Sequence, residues 1–209
     1  MKIAIIGAGG RTGRVFVDIA LEAGHSVVAG IHRKNPFEAH ASLTIRPCDA
    51  TDIEDVIGLI EGCDAIVSLI GHSLKSPKNV QTVAIKNIVQ AMETVGCSRL
   101  VSLTGSGVRE PGDTPNALDI ILNASIGIID PARIKDGIQH ARELQDSSID
   151  WTILRVLKLT NGSSQPYGLS MTGPAKLFAP RRDVAAAILM ILDNDSFIKK
   201  LPILSRESR

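Results

Sequence analysis

Aromatic residues are scarce in this chain. Four Phe, one Trp and one Tyr make up 3% of the 209 residues. A core with so few rings must be aliphatic, and the 44% hydrophobic content is ordinary for one globular unit of this length. Cysteine is scarce too. Cys48, Cys63 and Cys97 lie far apart with no C-x-x-C pair, which leaves no metal-ligand spacing and no disulfide framework, and points to a reducing cytoplasm. Neither sign of charge dominates. With 23 Lys+Arg against 22 Asp+Glu the formal net charge is +1, and no long run of like charge exists. The chain thus lacks the basic footprint expected of a nucleic-acid or membrane-surface binder. No segment reaches the roughly eighteen apolar residues of a membrane span. The opening "MKIAIIGAGG" carries a Lys and a short apolar run. At about five residues that run falls short of the roughly seven to fifteen of a signal-peptide core, so a buried strand is expected. Repeats and low-complexity segments are also missing.

What is present is an alternation of short aliphatic runs and longer helical patterns. Strands are expected at 2–6, 26–31, 43–46, 65–69, 100–103, 151–155 and 202–204. Most lack polar alternation, as strands buried on both faces of a parallel sheet do. Helices are expected between them. Thr51 with Glu54 resembles a capping box for a helix near 52–60. Ser76–Pro77 starts a helix running to about Val95 and stopped by Gly96, and Asp130–Pro131 starts another reaching about Asp146. The first helix closes at 20–23 before Gly24, and the last runs from 181 to 192. Strand–helix alternation predicts an α/β fold, a Rossmann-like doubly wound parallel sheet flanked by helices, with its ligand at the carboxyl ends of the strands. The stretch 105–130 is too long for an ordinary strand–helix loop. Its "NALDIILNASIGIID" suits a helical turn or two, serving as a packing insertion or as a flap over the pocket.

The opening "GAGGRTG" fits two glycine templates. G-x-G-x-x-G needs a glycine at 12, where Thr12 stands; G-x-x-G-x-x-G needs Gly7, Gly10 and Gly13, and all three are present. Either loop allows a tight turn and brings backbone N–H groups to a pyrophosphate at a helix N-terminus. Placed between a strand and an amphipathic helix at the head of an α/β chain, the motif predicts a dinucleotide site. The second strand then selects the cofactor. Where an NAD site carries Asp or Glu for the ribose 2′-OH, this chain reads "HRKN". A carboxylate would repel a 2′-phosphate, whereas the Arg33 guanidinium can pair with it, beside His32 and with Arg11 of the glycine loop adding charge. NADP(H) is therefore expected over NAD(H). Lys34 reads as a solvated turn residue.

These segments resemble the atypical short-chain dehydrogenase/reductase group over nearly the whole chain. "IIGAGGRTGR" is similar to that group's "GATGxTG" loop, "IRPCDATDIEDV" to its third strand and "GDxxD" turn, "AIVSLIG" to its fourth strand, "SSIDWTILRV" to "SGLDYTILRP", and "APRRDVAAAIL" to "ISRADVA". The closest flavour is that of small NAD(P)H-binding proteins such as biliverdin reductase B, a flavin reductase. The resemblance implies that Gly7, Gly10, Arg11, Thr12 and Gly13 cradle the cofactor, that Asp49 reaches the adenine, and that Leu69, Ile70 and Gly71 line its ribose with His72 beside them. It implies one NAD(P)-binding unit over 1–209, with substrate-side segments near 105–130 and 156–180. Val156 replaces the proline of "TILRP", and Pro180 replaces the capping serine of "SRADV", although Asp183 still suits the positive helix end. "SLTGSGV" falls where the group keeps its active-site Ser or Thr, which leaves Thr104 and Ser106 both open.

Ordinary members use a Tyr-x-x-x-Lys pair, in which lysine lowers the tyrosine pKa and the tyrosine protonates a carbonyl. Here the one tyrosine, Tyr167, is in no such pair, and "PARIKDGIQHARE", where it would fall, has none. Carbonyl–alcohol and sugar epimerase chemistry are therefore disfavoured. Hydride transfer to a flavin- or quinone-type acceptor needs orientation and exclusion of water, and its proton can come from solvent. Thr104 and Ser106 are candidates to orient nicotinamide or substrate, or to make ordinary turn hydrogen bonds. Lys158 is a candidate to offset charge on a reduced acceptor, or a solvent-facing lysine. His72 is a candidate proton donor. His140 reads as helix surface, and Tyr167 and Met171 as cover for the pocket or as packing. Two functions fit: an NADPH-dependent reductase of a small planar acceptor, or a non-catalytic NADP(H)-sensing regulator of the nitrogen-metabolite-regulator type. The expected partner is a small molecule, with no metal, nucleic acid or membrane; the oligomeric state is open.

Overall fold

The computed structural model describes residues 1–73 and 76–206. The chain begins with β1 (Lys2–Ile6), α1 (Arg11–Glu22), β2 (Ser26–Ile31), β3 (Leu43–Pro47), α2 (Ile53–Ile60), β4 (Ala65–Ser68), α3 (Val80–Val95) and β5 (Arg99–Gly105). It continues through α4 (Ala117–Ile129), α5 (Pro131–Gln145), β6 (Asp150–Val156), β7 (Lys158–Thr160), β8 (Gly168–Ser170), β9 (Phe178–Pro180), α6 (Arg181–Leu192) and β10 (Ile203–Ser205). Eight strands form one sheet in the order β3-β2-β1-β4-β5-β6-β10-β8, parallel except where β8 runs antiparallel to β10. The reversal in strand order between β1 and β4 opens a crevice at the strands' carboxyl ends. A small parallel pair, β7–β9, stands apart from the main sheet.

Strand β1 shows why the layers form. Its side chains alternate between faces, so Ile3 and Ile5 join one aliphatic cluster while Ala4 and Ile6 join the other. On the first face α1 supplies Phe16, Val17 and Ala20, and α6 supplies Val184, Ile188 and Ile191. On the second face α2, α3 and α5 supply Leu59, Ile60, Ile85, Ile88, Met92 and Leu144. Two-sided burial is what made these strands read as unbroken aliphatic runs.

Several local expectations are corrected. Helix α3 begins at Val80, not at Ser76. The Ser76 hydroxyl instead closes a turn with Ser73, and the helix start is capped by Asp136 of α5, which accepts from Gln81 N and Thr82 N at 2.9 Å each. Gly96, at φ +74°, ends the helix as expected. At α2 the cap is Asp52, accepting from Glu54 N, while Thr51 donates to Asp49. The last strand is shifted one residue, to Ile203–Ser205. The stretch after β5 holds a full 13-residue helix, α4, rather than a turn or two. The short strands β7, β8 and β9 carried no periodic signal at three residues each. No helix among the described residues is long and apolar enough to cross a membrane.

Candidate functional site

The glycine loop sits at the crevice, between β1 and α1. Gly7 adopts φ +84°, and a Cβ there would lie 3.0 Å from the Leu69 carbonyl, so the loop presses directly on the end of β4. Gly10 N donates to Gly7 O at 3.0 Å. At Gly13 a Cβ would come within 2.3 Å of Gly7 O and 2.6 Å of Ala8 O, which means α1 can cross the loop only without a side chain. At Gly9 the nearest contact would be an ordinary 3.5 Å to Ile31. Sterics thus require 7 and 13 and leave 9 free, in agreement with the G-x-x-G-x-x-G register. Gly10 caps α1 without a side-chain hydrogen bond, and the first turn holds no acidic residue. The N-terminal N–H groups and the positive end of the helix dipole face the crevice uncompensated, as an anion cradle requires.

Around this cradle the positive side chains are exposed. Arg11 and Arg33 lie at the surface and have no ion-pair partner among the described residues. Arg181, at the start of α6, is buried, with Nη1 donating to Asn161 at 2.6 Å; burial and then the nearby Arg11 charge hold its pKa below the usual arginine value. His32 Nδ1 lies 3.4 Å from Asp49 Oδ2. The Asp49 carboxyl is held below the usual range by hydrogen bonds from the Thr51 N–H and hydroxyl, with His32 contributing less. Asp49 therefore stands beside the basic tip of β2 as a fixed, ionised acceptor. Leu69 N is tied to Ile6 O, and Ile70 O accepts from Gln81 Nε2, which fixes the segment after β4.

His72 is a held side chain, not a free loop histidine. Its Nε2 lies 3.0 Å from Asp136 Oδ2 and 3.2 Å from Lys78 O, and the side chain is only 11% exposed. Asp136, buried, also accepts from Gln81, Thr82 N and the Thr82 hydroxyl, so one carboxylate joins the loop after β4, the start of α3 and the middle of α5. Thr104 is buried at the end of β5 and meets Gly137 of α5, where a Cβ would lie 3.1 Å from its hydroxyl. Ser106 is engaged: its hydroxyl donates to Asp119 at 3.0 Å and accepts from Asn123 Nδ2 at 3.1 Å. Lys158 is exposed, with its ammonium 5.4 Å from the centre of the Phe178 ring. Tyr167 packs against the α1–α6 core, and Met171 is 44% exposed.

His140 corrects an expectation. Instead of lying on the helix surface it is buried, with Nε2 2.8 Å from Ser102 Oγ, and burial pushes its pKa down to about 4 against a smaller opposing pull from Asp136. The neutral tautomer protonated on Nε2 donates to Ser102 and leaves only an Nδ1 lone pair unpartnered.

The charge pairs in the chain after β5 lie outside the contacts that the sequence singled out. Arg155 of β6, fully buried, makes a bidentate pair with Asp113 at 2.6 and 3.0 Å and donates to the carbonyls of Val108 and Leu201. Asp119 pairs with Arg109 at 3.1 Å, and Lys176 with Asp183 at 3.3 Å. One sequence signal did exist for the first pair. An arginine within an otherwise apolar strand must find an anion, because an unpaired buried charge is prohibitively costly.

Comparison with known proteins agrees with this geometry. A family model described as NAD(P)H-binding matches residues 7–195. An uncharacterized chloroplastic protein of Arabidopsis thaliana is 26% identical, over 98% of this chain and 77% of its own length. Among solved structures, a short-chain dehydrogenase/reductase from Veillonella parvula, in complex with NADP, superposes with a TM-score of 0.82 at 16% identity, covering 99% of this chain and 95% of that one. A Streptococcus pneumoniae protein provisionally assigned as an NADH-flavin reductase superposes with a TM-score of 0.80 at 20% identity, covering 99% and 100%. At these identities the structures speak for a shared Rossmann-like fold. A glycine loop heading a parallel sheet, together with a model match along almost the whole chain, means that this chain belongs to the NAD(P)H-binding family.

Proposed function

We propose that the protein is an NADPH-dependent reductase of a small planar acceptor, flavin or quinone in type, working without a Tyr-x-x-x-Lys pair. The observation that carries this reading is at the junction of α5 and β5. There the helix turns Asp136, Gly137 and His140 toward the sheet, Gly137 lies against Thr104, and no tyrosine or lysine is among them. His140 is held neutral and spent on Ser102, and Asp136 is saturated by its hydrogen bonds. The chain therefore supplies orientation rather than a strong general acid at that junction, which suits hydride transfer to an acceptor whose reduced form takes its proton from solvent.

When bound, the cofactor supplies the hydride; the rest is the work of this chain's residues. Gly7, Gly10, Thr12 and Gly13 cradle the pyrophosphate at the α1 N-terminus. Arg33 with Arg11 pairs with the 2′-phosphate, His32 and Asp49 bound the adenosine end, and Leu69, Ile70 and Gly71 line the ribose. Thr104 orients the reacting rings, Ser106 fixes the adjoining loop through Asp119, His72 stands in a geometry set by Asp136, and Lys158 lies on the segment that follows β6. The segments 105–130 and 156–180 close the acceptor side of one unit spanning 1–209. The NADP bound in the Veillonella protein supports the choice of cofactor, and the assignment of the Streptococcus protein as an NADH-flavin reductase supports a flavin-type acceptor but not the phosphorylated cofactor.

The test is oxidation of NADPH and NADH against a panel of flavins, quinones and small carbonyls. Turnover is expected with the flavins or quinones and not with the carbonyls, and NADPH is expected to bind more tightly than NADH. Tight NADPH binding without turnover on any acceptor would instead support the sensing regulator. Equal affinity for the two cofactors would overturn the NADP preference.

A further inference from the structure

Helix α4 is built inside out. Its one fully buried residue is Asp119, and the half-buried Asn123 bonds to Asp119 and to Ser106. Its outward residues are aliphatic: Leu118 is 55% exposed, Ile121 58%, Ile128 83% and Ile129 82%. The helix cannot roll to hide them, because the Asp119 carboxylate is fixed by Ser106, Arg109 and Asn123. Leu118, Ile121, Ser125 and Ile128 recur at spacings of three, four and three, which places them along one stripe of the helix. Ser125 turns its hydroxyl back onto Ile121 O at 2.8 Å, so it offers the stripe a small side chain with its donor already used. Beside the stripe lies a shallow groove lined by Gly127, Pro131, Ile134 and Ile138, edged by Lys135 and Arg142.

We propose that this face binds a second copy of the chain, with the two α4 helices antiparallel about a two-fold axis near Asn123. The stripe is complementary to itself in that arrangement. Leu118 falls opposite Ile128 of the second copy, where the two aliphatic chains pack on each other, and Ile121 falls opposite the small Ser125, where it meets a gap. The same surface carries both ridge and groove, which is the condition for a closed, isologous pair. The aliphatic patch, on the order of 500 Å², lies at the upper end of what monomers expose. With the α5 rim added it stays below the roughly 800 Å² per partner of a standard interface, the size of a weak, reversible pair. A membrane surface fits less well, because α4 itself carries no Lys or Arg beside its aliphatic stripe, and the nearest cations, Lys135 and Arg142, edge the α5 groove. The proposal is independent of any catalytic activity.

The test is sedimentation equilibrium of the full chain over nanomolar to high micromolar concentration. A reversible dimer is expected. Ile121→Glu and Ile128→Glu each enter the interface twice and are expected to weaken it by about a hundredfold or more. Both positions are solvent-exposed in one chain, so thermal melting of the monomer and NADPH binding are expected to stay unchanged, which separates lost association from lost folding. A wild-type chain that stays monomeric at every concentration overturns the proposal. So does a dimer that both variants leave intact. Co-sedimentation of a monomer with phosphatidylcholine–phosphatidylserine vesicles, lost in Ile128→Glu, overturns it in favour of a lipid surface.

Discussion

The part of this molecule before β5 and the part after it are held together by different forces. From β1 to β4 the structure is aliphatic packing around a parallel sheet, and the cations near the crevice, Arg11 and Arg33, are solvent-exposed. From residue 105 onward the irregular chain is pinned by buried charge: Arg155 to Asp113, Asp119 to Arg109, and Lys176 to Asp183. The contrast is physical. Regular strands satisfy their own backbone groups and need only apolar cover, whereas long irregular segments leave carbonyls and N–H groups that a multidentate side chain must satisfy. Arg155 does this for Val108 and Leu201 while pairing with Asp113. Charge is thus left exposed in the first part and committed to buried pairs in the second.

The largest effect should come from breaking the part after β5. Asp113→Ala leaves Arg155 buried without an anion and is expected to cost about 3–5 kcal/mol, read as a fall in the chemical-denaturation midpoint. Next is pH. His140 is neutral when folded, with a pKa near 4, and protonates near 6.5 when unfolded. The unfolded chain therefore binds the extra proton first. Stability is fully present above about pH 6.5 and is lost as pH falls toward 4, by about 3 kcal/mol, and His140→Gln should flatten that limb of a stability–pH curve.

Changes in the first part should show in NADPH binding. Gly13→Ala drives a Cβ into the Gly7 and Ala8 backbone carbonyls, so it is expected both to lower the thermal midpoint and to weaken NADPH binding by about a hundredfold in a fluorescence titration, while Gly9→Ala changes either little. Arg33→Ala should weaken NADPH binding roughly tenfold and leave NADH binding unchanged, since only the 2′-phosphate is lost as a partner. The smallest effect is expected at Lys158→Ala, which removes an exposed cation–π contact with Phe178 worth less than about 1 kcal/mol in a thermal melt.

The two parts also differ in how far they could be read. Strands 2–6, 26–31 and the helix 181–192 stand where hydrophobic runs and end signals put them, because those signals are local. Misreadings cluster where a distant group displaced a local one. Ser76 looked like a helix cap, but Asp136, more than fifty residues on, takes that role at Val80. His140 looked like surface because its helix is polar on average, yet its position one turn after Asp136 turns it toward Ser102. The apolar letters of 116–130 suggested a helical turn or two, as a packing insertion or a flap over the pocket. The structure forms a long helix whose single charge is inside and whose aliphatics are outside, because Asp119 is demanded by Ser106 and Arg109.

The sequence by itself determined the α/β order, the glycine register and the basic tip of the second strand. Each is written in residues close along the chain, where backbone geometry leaves few alternatives. The tertiary structure alone decided which of the polar residues remain available. Ser106, His72, His140 and Asp136 are all polar in sequence, yet each is committed to a partner contributed by another element. Pairing across many residues depends on how the layers pack, and that packing is fixed only when the sheet and its helices close on one another.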